Sequence, residues 1–254
     1  MKIVRFRTEG DVKYGILTGQ HIQAIKGGLF GSLKTTELGY QLRRVKLLAP
    51  CVPSKVVAVG RNYRSHAAEV NQPLPDVPFI FLKPSTSVIG PEENILYPET
   101  SHQVDYEGEL GVVIKKRAWQ VSAAKALDYV LGYTCFNDVT ARDIQSHEKQ
   151  STRAKIFDTF AAVGPVIETE LDPAKAAVET YLNGELKQQD NTRNLIFPVT
   201  ELISFISHVV TLLPGDVIAT GTPSGIGPMQ PGDTIEVRIA GIGTLRNYVV
   251  KDGG

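Results

Sequence analysis

Short apolar runs alternate with turn residues along almost the whole chain. Lys2–Phe6, Lys13–Leu17 and His21–Ile25 are rich in β-branched and aromatic residues, with turns at Glu9-Gly10 and Gly19-Gln20. That pattern predicts a small antiparallel sheet, an N-terminal β lobe over residues 1–50. Pro50 and Pro53 mark the expected boundary with a second unit, residues 51–254. There, Lys55–Gly60, Phe79–Pro84, Gly132–Phe136, Ala161–Ile167, Val217–Thr220, Thr234–Ile239 and Thr244–Val250 read as strands. Asn183-Gly184 signals a hairpin. Four stretches read as helical: Ser65–Val70, Ser122–Val130 with Ser122 as N-cap, Thr140–Lys149, and a helix begun by Pro198. The last has Leu202, Phe205, Ile206 and Val209 at helical spacing on one face. The chain as a whole predicts an α+β fold, mixed and mostly β, with a few helices.

The stretch Asp105–Ile114 organises this picture. It reads as one strand, which places Glu107 and Glu109 on the same face. Two like charges side by side repel. Either that face is wet, or a cation lies between the carboxylates. The next strand ends in Asp138, a third oxygen donor of the kind a hard divalent cation takes. Spacing alone leaves both readings open.

Composition narrows the function classes. Of 254 residues, 27 are Lys or Arg and 27 are Asp or Glu. With no net charge and no basic block, the chain lacks the electrostatic footprint of a nucleic-acid binder. No apolar run reaches membrane-spanning length, and Met1–Arg5 does not begin a signal peptide. Cys51 and Cys135 lie outside any CxxC pattern. A reduced, cytoplasmic protein is expected.

Several polar residues could carry chemistry. His66 and Glu69 stand at i and i+3 of the predicted short helix, close enough to form a proton-transfer dyad or to be an exposed polar turn. The Pro-rich stretch that follows, residues 71–78, has the look of a mobile lid. Lys155 could offset a developing oxyanion, and Arg61, Arg142 and Gln145 could bind an acidic substrate; each also reads as an ordinary solvated side chain. The glycine-rich loop Thr220–Gly227 suits an anion cradle or a tight turn, and matches neither the P-loop nor the dinucleotide fingerprint. His102 suits a ligand or a solvated loop residue.

Taken together and in order, these motifs become particular. Gly60-Arg61-Asn62-Tyr63 with His66 and Glu69, Asp105-Tyr106-Glu107-Gly108-Glu109-Leu110, Asn137 to Asp143, Lys155 to Asp158, and Gly221 to Gly227 strongly resemble the fumarylacetoacetate hydrolase superfamily over roughly residues 51–252. The N-terminal lobe suits its bacterial single-domain members. The resemblance implies a mostly β roll, usually a homodimer, with Glu107, Glu109 and Asp138 binding Mg²⁺ or Mn²⁺. It implies that His66 and Glu69 form a dyad on a lid, that Lys155 lies near the metal, and that Thr222 lines the substrate pocket. It places Arg61, Arg142 and Gln145 at substrate contacts. The implied substrates are small 2-oxo acids that react through a metal-stabilised enolate, as in aromatic catabolism. C–C hydrolysis of acylpyruvates or isomerisation of a 2-oxo dioate stands ahead of oxaloacetate decarboxylation or tautomerisation. The alternative of another class is a non-catalytic small-molecule-binding protein, which the complete dyad and carboxylate set speak against.

Overall fold

A computed structural model describes residues 1–31, 33–148 and 152–253. The chain opens with an antiparallel meander, β1 (Lys2–Thr8), β2 (Asp11–Thr18), β3 (His21–Ile25) and β4 (Thr35–Gln41), followed by β5 (Lys46–Leu48). Strand β6 (Lys55–Gly60), helix α1 (Arg64–Glu69) and strands β7 (Phe79–Pro84), β8 (Val88–Ile89) and β9 (Asn94–Tyr97) come next. After β10 (Val104–Tyr106), β11 (Gly108–Ile114), β12 (Val130–Asp138) and β13 (Thr140–Ala141) come helices α2 (Arg142–His147) and α3 (Thr152–Lys155). The rest is β14 (Ala161–Glu168), β15 (Ala177–Leu182), β16 (Glu185–Asn191), helix α4 (Val199–Val209), β17 (Val217–Ala219), β18 (Gly227–Met229), β19 (Thr234–Ile239) and β20 (Gly243–Lys251).

The strands form three sheets. The largest runs β4-β3-β2-β1-β14-β12-β11-β17-β6-β7, with β5 on β1 and β8 on β14. A three-stranded sheet runs β13-β10-β18, and a five-stranded one β16-β15-β19-β20-β9. This is the α+β, mostly β architecture that the pattern predicts. Among the described residues, no helix is long and apolar enough to cross a membrane. The first fifty residues join the rest through the β1–β14 ladder, where Ile3 faces Ile167, and the amino group of Met1 donates to Glu168 Oε1 at 2.7 Å.

Strand β11 lies in mid-sheet between β12 and β17 and is buried along its whole length. Its alternate side chains serve two cores. Leu110, Val112 and Ile114 pack with Leu202, Ile203 and Ile206 of α4, while Val113 packs with Val56, Phe136 and Ala219 on the other face. A strand covered on both sides has to be apolar on both sides, hence the unbroken run Leu110 to Ile114.

Four details differ from the sequence reading. Asp105–Ile114 is two strands in different sheets: β10 pairs with β13 and β18, β11 with β12 and β17, and the chain changes sheet at Glu107. Thr140 and Ala141 belong to β13 because they pair with Asp105 and Val104, so the helix begins at Arg142; residue 149 lies outside the described residues. Ser122 makes no side-chain cap: Ala123–Tyr129 is a 3-10 helix, entered by the Lys125 N–H donating to the Ser122 carbonyl. Val209 is 62% exposed. The last turn of α4 instead buries Ser207, whose hydroxyl accepts from the Val121 N–H at 2.9 Å.

Because Leu202 is fully buried where α4 meets β11, Leu202→Ala is expected to cost about 2–5 kcal/mol of stability. The check is urea unfolding followed by circular dichroism.

Candidate metal centre and its pocket

The sheet change at Glu107 brings the acids together. The Asn137 side-chain oxygen accepts from the Glu107 N–H at 2.9 Å, and the Glu107 carbonyl accepts from the Asp138 N–H at 2.9 Å. The end of β12 is therefore tied to the kink between β10 and β11. Carboxylate oxygens of Glu107, Glu109 and Asp138 lie within 4.8 Å of one another. The three residues are 5%, 1% and 1% exposed, so the wet-face reading of the acid pair falls. An oxygen-only donor set of this size and burial fits a hard divalent cation such as Mg²⁺ or Mn²⁺.

Buried acids need partners. Lys155 Nζ donates to Glu107 Oε2 and Asp138 Oδ2, both at 2.8 Å. Lys83 Nζ donates to Asp138 Oδ1 at 2.5 Å and to the Val139 carbonyl at 3.2 Å. Arg142 spans Asp105 Oδ2 at 2.8 Å and Glu107 Oε1 at 2.5 Å, and Thr140 Oγ1 also donates to Glu107 Oε1. Burial opposes charge on Glu107, but Lys155 and then Arg142 overcome it and hold the carboxyl well below the usual range. Glu109 has no such cation. Its one protein donor among the described residues is the Gly221 N–H at 2.7 Å, and burial, with the charges of Asp138 and Glu107, pushes its carboxyl well above the usual range. Burial likewise pulls the Lys83 ammonium down, against the attraction of Asp138.

The cluster forms part of the floor and wall of a cavity of about 620 Å³. Glu107, Lys155 and Arg142 face it, as do His66, Arg61, Gln145 and Thr222, whereas Glu109 and Asp138 are grouped with Glu107 without lining the cavity themselves. His66 Nδ1 is 3.1 Å from Glu69 Oε2, so the i, i+3 contact exists, and Glu69 Oε1 accepts from the Gly225 N–H at 2.8 Å. Gln145 Oε1 accepts from Arg142, which braces the guanidinium. The Thr222 hydroxyl donates to the Gly108 carbonyl and accepts from Gln188 Nε2, so its hydrogen is already committed. The glycine-rich loop is a cradle for the protein's own acids: Gly221 holds Glu109 and Gly225 holds Glu69. Gly225 has φ +99°, and a Cβ there would meet the Lys187 carbonyl oxygen at 2.1 Å. His102 is exposed and outside the carboxylate group. Burial pushes both cysteine thiols up to about 12, which removes them as nucleophiles.

Two residues of the site escaped the sequence reading. Lys83 left a signal: it is the one charge in the strand Phe79–Pro84, on the same strand face as Phe79 and Phe81. Gln188 left none. It sits in a polar hairpin strand, yet its side chain is buried, accepts from the Gly108 N–H between the two glutamates, and donates to Thr222 and the Pro223 carbonyl.

Two expectations follow from the charges. The proton that favours Glu109 competes with a cation, so Mg²⁺ affinity is expected to rise with pH by up to about tenfold per unit until that carboxyl has ionised. Calorimetric titration in buffers of different ionisation enthalpy reads both the affinity and the released proton. Lys83→Met, which leaves a buried acid short of a partner, is expected to destabilise the metal-free protein by about 3–5 kcal/mol. Saturating Mn²⁺ should recover part of that loss, visible as a larger metal-induced rise in Tm than in the parent protein.

Comparison with known proteins agrees with this geometry. A family model described as fumarylacetoacetate (FAA) hydrolase C-terminal matches residues 55–250, and one described as Rv2993c-like, N-terminal matches residues 1–50. The structure of a 2-hydroxyhepta-2,4-diene-1,7-dioate isomerase from Mycobacterium marinum is 43% identical, with a TM-score of 0.93 and full coverage of both chains. A maleylpyruvate hydrolase from Sphingobium sp. SYK-6, solved with manganese(II) and pyruvate, is 29% identical, with a TM-score of 0.84 and again full coverage of both. Bovine mitochondrial oxaloacetate tautomerase FAHD2B is 42% identical over 219 residues, 81% of this chain and 70% of that one. The chain belongs to the fumarylacetoacetate hydrolase family.

Proposed function

We propose that the protein is a divalent-cation-dependent enzyme that enolises small 2-oxo acids and then hydrolyses a C–C bond or isomerises the chain. The observation that carries this reading is that Glu107 of the carboxylate cluster and His66 of the His66–Glu69 pair face one cavity. Glu107, Glu109 and Asp138 would hold the cation, Mg²⁺ or Mn²⁺. Bound there, it would supply Lewis-acid polarisation of the substrate's 2-oxo group.

The protein's own groups do the rest. Glu69 takes the Nδ1 side of His66, which leaves Nε2 as the basic nitrogen. In isomerisation Nε2 takes a proton from the carbon beside the 2-oxo group and returns it farther along the chain. In hydrolysis it takes the proton of an attacking water and returns it to the departing carbon. Lys155 places a buried ammonium at the cavity wall, where it offsets negative charge growing on substrate oxygen. Arg142 donates to both Gln145 and Glu107, and so keeps the mouth of the cluster in place. Val59, Phe79 and Phe81 supply apolar wall.

A second reading, oxaloacetate tautomerisation or decarboxylation, draws on the bovine relative's activity and uses the same proton-transfer groups. The homodimer implied by the resemblance has a surface to use: β7 ends the large sheet, with Phe79 and Leu82 exposed.

EDTA is expected to abolish turnover of acylpyruvate, 2-oxo dioate and oxaloacetate substrates alike, and Mg²⁺ or Mn²⁺ to restore it. Full activity in the chelated enzyme would overturn the proposal. Glu69→Ala is expected to lower kcat by about 10²–10⁴-fold while Mn²⁺ affinity stays within a few-fold. Lost metal binding in that variant would show the role given to the dyad to be wrong.

A further inference from the structure

We infer that Arg61 is a specificity-determining residue that recognises a second, distal carboxylate, and that β7 sets how far along the substrate that group must lie. The inference rests on the enolate reading of the cavity and extends it to the far end of the substrate.

Among the described residues, three cationic side chains of fixed charge face the cavity: Arg61, Arg142 and Lys155. Arg142 is spent on Asp105 and Glu107, and Lys155 on Glu107 and Asp138. Arg61 makes no ion pair among the described residues. Its contacts are the Phe79 ring, 5.3 Å from the guanidinium carbon, and a long hydrogen bond of 3.4 Å to Gln72 Oε1. A part-exposed guanidinium over a ring, with donors to spare, is ready for an anion.

The backbone keeps it there. Arg61 has φ +56°, a conformation that residues other than glycine rarely adopt, and among the described residues it is the one such residue facing the cavity. Neighbouring structure enforces it. The buried Asn62 side chain donates to the carbonyls of Thr220 and Phe197 and accepts from the Phe197 N–H. Strain held so firmly in a non-glycine residue at a cavity wall marks a side chain kept for use.

Strand β7 measures the distance. Lys83, Phe81 and Phe79 share one face and become more exposed from floor to mouth. Lys83 binds Asp138, Lys155 lies 5.1 Å from the centre of the Phe81 ring, and Arg61 lies over Phe79. The Phe81 and Phe79 rings are 6.4 Å apart, one same-face step of about 7 Å along a strand. Arg61 is therefore seated on the ring one step farther out along β7 than the ring beside Lys155. Three C–C bonds separate the carboxyl carbons of oxaloacetate, a span below about 5 Å, whereas the six bonds of a seven-carbon dioate reach about 8 Å. The cavity suits a 2-oxo dioate with an apolar middle better than a four-carbon diacid or an uncharged-tail 2-oxo acid.

The test follows enolisation directly, as deuterium uptake at C3 in D₂O with the Mg²⁺-loaded protein. Removal of the C3 proton gives the enolate, and return of a deuteron completes the exchange. The probes are 2-oxoheptanedioate and 2-oxoheptanoate, equal in length, with oxaloacetate as a competitor. The parent protein is expected to favour the dioate by about tenfold or more in kcat/KM. Arg61→Leu is expected to bring that ratio to within twofold, through KM, with less than a threefold change in the oxaloacetate inhibition constant. Arg61→Lys should keep part of the preference. A preference that survives Arg61→Leu overturns the inference, and so does an equal loss for both heptanoates, the mark of a merely structural role. If neither exchanges in the parent protein, the enolate reading fails. Calorimetric binding of heptanedioate against heptanoate then judges Arg61 separately: equal affinities refute it, and a tenfold difference lost in Arg61→Leu supports it.

Discussion

A buried charge imbalance lies at the centre of this molecule. Asp105, Glu107, Glu109 and Asp138 are buried together against Lys83, Arg142 and Lys155, four acids to three bases. Ion pairs in such surroundings persist only when each charge is matched and hydrogen-bonded. Three of the acids are matched here. Glu109 is the one left over, and the metal-free protein answers by favouring its protonated form. A divalent cation would turn a deficit of one positive charge into a surplus of one, which the carboxylate of a 2-oxo acid would balance. Metal and substrate head would thus complete a balance that the polypeptide leaves open.

That arrangement depends on a chain that leaves one sheet for another at Glu107. Val104 to Tyr106 are paired on the small sheet and Gly108 to Ile114 on the large one, so the two glutamates lie at the seam. Residues from distant parts of the chain hold the seam closed. Asn137 and Gln188 take the two N–H groups beside Glu107, at Glu107 and Gly108, while the loop from Gly221 to Gly225 ties Glu109 on one side to Glu69 on the other. The carboxylate cluster and the His66–Glu69 pair therefore share one support, and the loop that read as an anion cradle or a tight turn binds the protein's own carboxylates.

Much of the site was legible because its members are unusual residue types at local spacings. His66 and Glu69 are one helical turn apart, and Glu107 and Glu109 flank a single glycine before an apolar run. Such pairs meet whatever the tertiary fold does. Lys83 was half-legible, as one charge on an otherwise apolar strand. Gln188 was invisible, since its partners are 34 and 80 residues away and nothing in its own neighbourhood demands burial. The start of the helix predicted from Thr140 was misplaced for the same reason, the helix itself running Arg142–His147. Its first two residues had a strand partner at Val104 and Asp105, and pairing with a distant strand outweighed local helix preference.

The amino-acid order alone determined the periodicities, the hairpin at Asn183-Gly184 and the pairings of Glu107 with Glu109 and of His66 with Glu69, because each depends on residues within a turn or two of one another. Tertiary structure alone decided that the acid pair is buried rather than wet, that Lys83 and Lys155 both serve Asp138, and that Arg61 is left without a carboxylate. Burial and charge pairing are properties of the space where distant segments meet, and no local spacing specifies which segments those will be.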